Sequence, residues 1–145
     1  LYGAGHVGQA IAQVFSVTDW TLNWYDTREE YCRPNNVLFL EDIETTVFNA
    51  PLNAIHLIMT HSHDVDYQLT LAILQRGQFG FCGLIGSQTK RARFLRRLRD
   101  DGVDERQINR LTCPIGSPNI VGKSPGVVAI SVASQLLQHP GGALP

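Results

Sequence analysis

The sequence predicts an α/β fold in which a doubly wound, mostly parallel sheet carries helices on both faces. The first observation is a strand end that runs into a glycine-rich turn and then into a helix, over residues 1–15. The second is an alternation of short apolar runs with helical patterns along the rest of the chain. Because these apolar runs contain few polar residues, they are typical of parallel strands buried on both faces.

The composition is that of an ordinary globular protein, and we expect one domain over residues 1–145. With 43% hydrophobic and 17% charged residues, the chain resembles neither a disordered nor a membrane protein. A net charge of −1 gives no general attraction to nucleic acid or membranes. The 3 cysteines lack metal-type spacing, which favours reduced thiols and a cytoplasmic location. Since the sequence starts inside the first strand, we expect it to belong to a longer polypeptide.

The opening turn has the spacing of a phosphate-binding loop. Gly3, Gly5 and Gly8 form the pattern G-x-G-x-x-G. The first glycine permits a tight turn, the second lets a pyrophosphate approach the backbone, and the third lets the helix lie close to the sheet. His6 and Val7 lie at the start of that helix, where free N–H groups and the helix dipole favour an anion.

An acidic residue follows at the distance that dinucleotide-binding folds use. Asp26 ends the predicted second strand, residues 20–25, and lies 21 residues after Gly5. A carboxylate there reaches the hydroxyls of an adenosine ribose, although a turn-starting or helix-capping aspartate is the alternative. Arg28 could accept a 2′-phosphate, but Asp26 would repel it. The sequence therefore favours an NAD-like dinucleotide over NADP.

The remaining elements follow from apolar runs and their boundary residues. Proline and asparagine indicate a turn at residues 34–36, Gly77 ends a helix, and Pro125 follows Ser124 at a helix start. Further strands are predicted at residues 37–40, 54–59, 79–85 and 111–115, and helices from 41, after 64, and over 90–99, 104–110 and 124–138.

Three histidines are predicted to meet at the edge of the sheet where ligands bind. The usual strand order 3-2-1-4-5-6 sets the fourth strand beside the first. His6 follows the first strand, and Thr60, His61 and His63 follow the fourth. Imidazoles there could bind phosphate or pterin edges, bind a metal or relay protons. The alternative is that they are polar helix-start residues that face solvent.

Two stretches come close to known motifs, but the first differs from its motif at two positions and the second at one. Residues 60–66 resemble the metal-binding H-x-H-x-D-H motif of a class of hydrolases, but Val65 and Asp66 replace its final pair, so we do not assign this motif. Residues 116–124 resemble a P-loop, but Ser117 stands where a glycine is required.

The predicted helix over residues 90–99 carries six cations in ten residues. A solvated face is the default interpretation. Lys90 and Arg91, however, lie in its first turn, just after Gly86 and Ser87, and could hold an anionic cofactor. The other cations would suit an acidic protein partner, and nucleic acid is disfavoured by the net charge. The predicted buried stripe comprises Ala92, Phe94, Leu95 and Leu98.

Four further side chains are assigned by their surroundings. Cys82 and Cys113 lie in predicted strands and are interpreted as inert core thiols. Cys32, in a loop beside an arginine, is the most plausible reactive cysteine. His56 lies inside a strand and is interpreted as a core histidine.

Together these motifs resemble the Rossmann domain of xanthine dehydrogenase accessory proteins of the XdhC/CoxI type. The similarity covers nearly the whole chain, and its most specific part is G-L-I-G-S-x-x-K-R over residues 83–91. The other stretches that carry it are residues 1–8, 25–28, 59–64, 92–94, 113–116 and 122–125.

The resemblance implies a cytoplasmic assembly factor and not a metabolic enzyme. Such proteins bind molybdenum cofactor (molybdopterin), deliver it to a xanthine dehydrogenase-type molybdenum hydroxylase and also meet a cysteine desulfurase. The residues themselves show no complete catalytic constellation. Two alternatives stay open: an NAD-dependent oxidoreductase that uses His61 or His63 as the acid, and a nucleotide-sensing domain whose apolar last helix forms a homodimer interface.

Overall fold

The computed structural model describes residues 1–32 and 36–139, and the chain divides into two compact units. One unit comprises Leu1–Phe39 with Gly116–Pro145, and the other comprises Leu40–Ile115. Parallel strands alternate with helices, so the predicted α/β class is confirmed. In chain order the elements are α1 (His6–Phe15), β1 (Tyr25–Asp26), α2 (Glu29–Cys32), β2 (Leu38–Phe39), α3 (Ile43–Phe48), β3 (Ile55–Ile58), α4 (His63–Arg76), β4 (Phe81–Leu84), α5 (Gln88–Asp100), α6 (Glu105–Ile108), β5 (Leu111–Thr112) and α7 (Pro125–Gln138).

The first unit contains the opening β-α-β segment. β1 pairs in parallel with β2, and Tyr25 lies opposite Leu38. On its other side Tyr25 forms a parallel bridge with Tyr2. The order β2, β1 and then the segment at Tyr2 agrees with the predicted order 3-2-1. The two tyrosine rings stack with their centroids 5.6 Å apart.

Helix α7 belongs to the same unit and packs against α1. It begins as predicted, with Pro125 at the first helical position after Ser124. One side of α7 is buried, whereas Ile130 and Leu137 on the other side are exposed. The helix is therefore only half buried, and its apolar composition overstates its burial.

The second unit holds three parallel strands in the order β3, β4 and β5. Ile55 lies opposite Phe81, and Cys82 lies opposite Leu111. α4 follows β3 and ends at Gly77, whose φ of 70° matches the predicted helix stop. The prediction that the fourth strand lies beside the first involves both units and stays a prediction.

The second predicted strand is shorter than the pattern indicates. In the described chain only Tyr25 and Asp26 of this run form strand. Thr21, Leu22 and Asn23 are exposed and belong to no strand.

Two further expectations are limited or corrected by the structure. Part of the turn predicted at residues 34–36 lies outside the described residues. Ala92, which was predicted to be buried, faces solvent.

Within the described ranges, no helix combines the length and apolar character needed to cross a membrane.

Candidate functional site

The glycine loop of the first unit is tightly packed at one end and open in the middle. Gly3 has φ 113°, a conformation that suits glycine, so the predicted tight turn is present. A Cβ atom on Gly8 would lie 2.0 Å from the carbonyl oxygen of Gly3, so no side chain fits there. At Gly5, by contrast, a Cβ would meet no atom within 4 Å. The backbone at Gly5 is thus open to close approach by a ligand.

The loop leads directly into the N-terminus of α1. Gly5 is the N-cap residue, and no side chain in the described chain caps this helix. The N–H groups of His6, Val7 and Gly8 precede the first helical hydrogen bonds, and together with the helix dipole they favour an anion. His6 is exposed, while Val7 is half-buried.

Three contacts hold the loop in this shape. The indole Nε1–H of Trp24 donates to the carbonyl oxygen of Gly3 at 2.9 Å. The side-chain amide of Gln9 donates to the carbonyl oxygen of Ala4 at 3.0 Å. The N–H of Ala4 donates to Oδ2 of Asp26 at 2.6 Å. The loop is therefore preformed by contacts within its own unit.

Asp26 is almost fully buried and is surrounded by donors. Besides Ala4, it accepts bonds at Oδ1 from the backbone N–H of Arg28 (2.8 Å) and from its Nε (2.9 Å), and at Oδ2 from its Nη2 (2.9 Å). Burial acts to raise the pKa of Asp26, but the hydrogen bonds from Arg28 and Ala4 outweigh it and hold the pKa below its usual value. The carboxylate is thus stabilised in its charged form.

Arg28 is held from two sides. Its guanidinium forms the bidentate ion pair with Asp26 and lies over the ring of Tyr31, 3.9 Å from the ring centroid. The Arg28 side chain is 23% exposed to solvent. From the sequence we expect Asp26 to repel a phosphate that Arg28 would bind. In the structure the two side chains form one ion pair without net charge.

A second group of site residues lies in the second unit, after β3 and β4. Oδ1 of Asp66 accepts bonds from the backbone N–H (2.9 Å) and the hydroxyl (2.7 Å) of Thr60. The ammonium of Lys90 donates to Oδ2 of Asp66 at 2.6 Å and to the carbonyl oxygen of Ile85 at 2.9 Å. The pair ties together the two loops that leave the carboxyl ends of neighbouring parallel strands.

The G-L-I-G-S-x-x-K-R stretch has a packing explanation in these contacts. A Cβ on Gly86 would lie 2.6 Å from Cδ of Lys90, so the glycine makes room for the lysine chain. The hydroxyl of Ser87 accepts the N–H of Lys90 at 3.1 Å and caps α5. The sequence allows Lys90 to hold an anionic cofactor, and in the structure its ammonium donates to Asp66 and to the carbonyl oxygen of Ile85. Arg91, beside it, is half-buried.

The histidines after β3 are accessible. His61 and His63 are exposed, and Ser62 between them caps α4 by accepting the N–H of Val65 at 3.4 Å. Their predicted meeting with His6 involves both units and stays a prediction. Among the described residues, no group of three or more histidine, cysteine or acidic side chains could hold a metal ion.

The surroundings of Cys32 do not favour the thiolate form that a reactive cysteine needs. The thiol of Cys32 contacts the carbonyl oxygens of Asp26 (3.7 Å) and Arg28 (3.4 Å). Burial, followed by the negative charges of Asp26 and nearby glutamates, raises the pKa of Cys32, which opposes thiolate formation. The expectation of a reactive Cys32 is therefore not supported. Cys82 and Cys113 are buried as predicted, and burial raises the pKa of Cys82 to about 12.

Sequence reasoning missed two residues that shape these loops. Asp66 shares the buried face of α4 with Leu69 and Ile73, at helical spacing. A carboxylate on an apolar face needs a buried partner, which is a signal that the sequence does carry. Trp24, whose indole holds Gly3, gives no comparable signal.

Comparisons with known proteins agree with this architecture. A family model described as the XdhC Rossmann domain matches residues 1–136. The protein YqeB of Escherichia coli strain K12, described as uncharacterised, is 30% identical over 99% of this chain. A crystal structure described as a xanthine dehydrogenase from Bacillus halodurans is 22% identical over 94% of this chain with a TM-score of 0.68, which shows the fold alone. The chain spans 28% of YqeB and 40% of the B. halodurans chain.

Proposed function

Because the chain belongs to the XdhC Rossmann domain family, we propose that it binds molybdenum cofactor during the maturation of a xanthine dehydrogenase-type molybdenum hydroxylase. In this proposal the domain is an assembly factor and not a catalyst. A cysteine desulfurase is its second proposed partner, the cytoplasm its proposed location, and a homodimer its proposed form.

The open glycine loop is the observation that supports this proposal. Molybdopterin is a phosphate ester, and in bacteria it often carries a nucleotide, so it presents the anionic groups that such a loop accepts. The space at Gly5 lets a phosphate approach the backbone. The N–H groups of His6, Val7 and Gly8 would then bind the phosphate oxygens. When bound, the cofactor would supply the redox chemistry of the target enzyme, and an NAD-like dinucleotide is the other ligand class that suits this loop.

Gly5→Asp tests the proposed loop by charge. Aspartate is a favoured N-cap residue, and the φ of −70° and ψ of −172° at Gly5 are open to any residue, so the fold should be kept. A carboxylate there repels phosphate. In anaerobic titration calorimetry of the purified chain with molybdenum cofactor, we expect the wild type to bind and Gly5→Asp to lose about tenfold or more in affinity.

Gly126→Asp is the matched control for this substitution. Gly126 lies in the first turn of α7, a Cβ there also meets nothing within 4 Å, and the charge change is the same. We expect wild-type affinity from this variant. Absence of pterin binding to the wild type, or equal binding by both variants, would reject the proposed site.

A further inference from the structure

Asp26 lies where a dinucleotide-binding fold contacts the ribose, and it already accepts as many hydrogen bonds as a carboxylate usually does. A carboxylate has about four acceptor positions. At Asp26 they are occupied by the N–H of Ala4 and by three N–H groups of Arg28. A ribose diol that donates to Asp26 would have to displace one of these charge-assisted bonds, so the structure disfavours the usual NAD contact.

Donors, in contrast, remain available beside Asp26. A guanidinium has five N–H donors, and Arg28 uses only its Nε–H and one Nη2–H on Asp26. The Nη1 group donates to no acceptor in the described part of the chain. Tyr31 supports one face of the guanidinium, and the side chain stays partly exposed. Arg28 is therefore fixed in place with donors to offer.

The expected repulsion of a 2′-phosphate assumed a free Asp26. The ion pair removes that assumption, because the charge of Arg28 neutralises the carboxylate at 2.9 Å. An ionised phosphate only accepts hydrogen bonds, and it matches a guanidinium better than a hydroxyl does. The donor and acceptor pattern at this position thus fits a phosphate and not a diol.

We infer that Arg28 makes this site selective for an adenosine dinucleotide that carries a 2′-phosphate, of the NADP type, over NAD. Asp26 then acts as a positioning residue, which holds both Arg28 and the loop N–H of Ala4. The inference rests on one part of the proposed function, the binding of phosphate by the glycine loop, since that loop would receive the diphosphate of the dinucleotide.

Titration calorimetry with NADP⁺ and NAD⁺ tests the selectivity. We expect the wild-type chain to bind NADP⁺ at least about tenfold more tightly. Arg28→Gln removes the phosphate contact and frees acceptor positions on Asp26. It should therefore weaken NADP⁺ binding by about tenfold or more, while NAD⁺ binding stays equal or becomes tighter. A general loss of the fold would weaken both ligands together.

Arg96→Gln is the matched control, because Arg96 is exposed on α5 and the change removes the same charge. It should leave both affinities unchanged. If Arg28→Gln does not fold, the unaltered protein still provides a test. In NMR spectra of arginine side chains, 2′-AMP should shift the Nε–H signal of Arg28 and 5′-AMP should not.

Two results would overturn the selectivity. One is NAD⁺ binding that equals or exceeds NADP⁺ binding, and the other is no binding of either nucleotide. Neither result decides the proposed function, because pterin binding and its loss in Gly5→Asp are measured separately. A chain that binds pterin but neither nucleotide keeps the proposed function and rejects this inference.

Discussion

Lys90 neutralises a carboxylate that has almost no contact with water. Asp66 is 1% exposed and Lys90 is 8% exposed, so replacing the lysine leaves a buried charge without its partner. We expect Lys90→Met to lower the free energy of unfolding by about 3–5 kcal/mol at neutral pH. Methionine keeps much of the aliphatic chain, which limits the loss of packing. Urea denaturation followed by circular dichroism measures the change.

An exposed ion pair in the same unit is the control. Arg99 and Glu105 are both at least half exposed, and an ion pair at the surface contributes little to stability because solvent screens its charges. Arg99→Met should therefore have little effect on unfolding. Equal losses in Lys90→Met and Arg99→Met would show that burial does not strengthen the dependence on Lys90.

Single residues differ in how far the sequence predicts them. The conformation of Gly3 follows from the local loop pattern, because its role depends on its own backbone. The contact partners of a side chain are harder to predict from the sequence. Lys90 is evident as a cation at a helix start, but its contact with Asp66 depends on β3 and β4 being neighbours. The closure of Arg28 on Asp26 is a side-chain geometry that no spacing rule specifies.

The serine residues that precede α5 and α7 allow a prediction about the stability of these two helices. Ser87 and Ser124 both precede a long helix, but only Ser87 forms a side-chain cap. Loss of an N-cap hydrogen bond costs about 1 kcal/mol. We therefore expect Ser87→Ala to lower the free energy of unfolding by about that amount, and Ser124→Ala to lower it clearly less, in urea denaturation. The reverse order would show that the hydrogen bond to Lys90 N–H does not stabilise α5.

Element types are predicted better than element lengths. Apolar runs locate β3 and β4 well, because both strands are buried and have parallel neighbours. The run over residues 20–25 overestimates its strand, because alternating large side chains also occur in irregular segments. Trp24 turns inward to bond Gly3, while Leu22 stays exposed. Strand length depends on available partners, which lie far away in the sequence.

At the scale of the whole molecule, folding lowers the pKa of two groups, and both make the protein less stable as pH falls. Burial, aided by the positive charge of Arg76, lowers the pKa of His56 from 6.5 to about 4. The folded chain therefore keeps this imidazole neutral while the unfolded chain takes up a proton. The pKa of Asp26 is also lowered, but its stabilisation is lost only as pH falls below 3.8. The two groups act in separate pH windows.

We expect stability to fall as pH decreases from 6.5 to 4, the window set by the unfolded and folded pKa values of His56. The contribution of this single group has a slope of at most about 1.4 kcal/mol per pH unit. His56→Gln should remove that slope, whereas His63→Gln, at an exposed histidine, should keep it. Urea denaturation at pH 7 and pH 5 gives the difference between variants. An unchanged slope in His56→Gln would contradict the prediction, as would an NMR titration of His56 near 6.5.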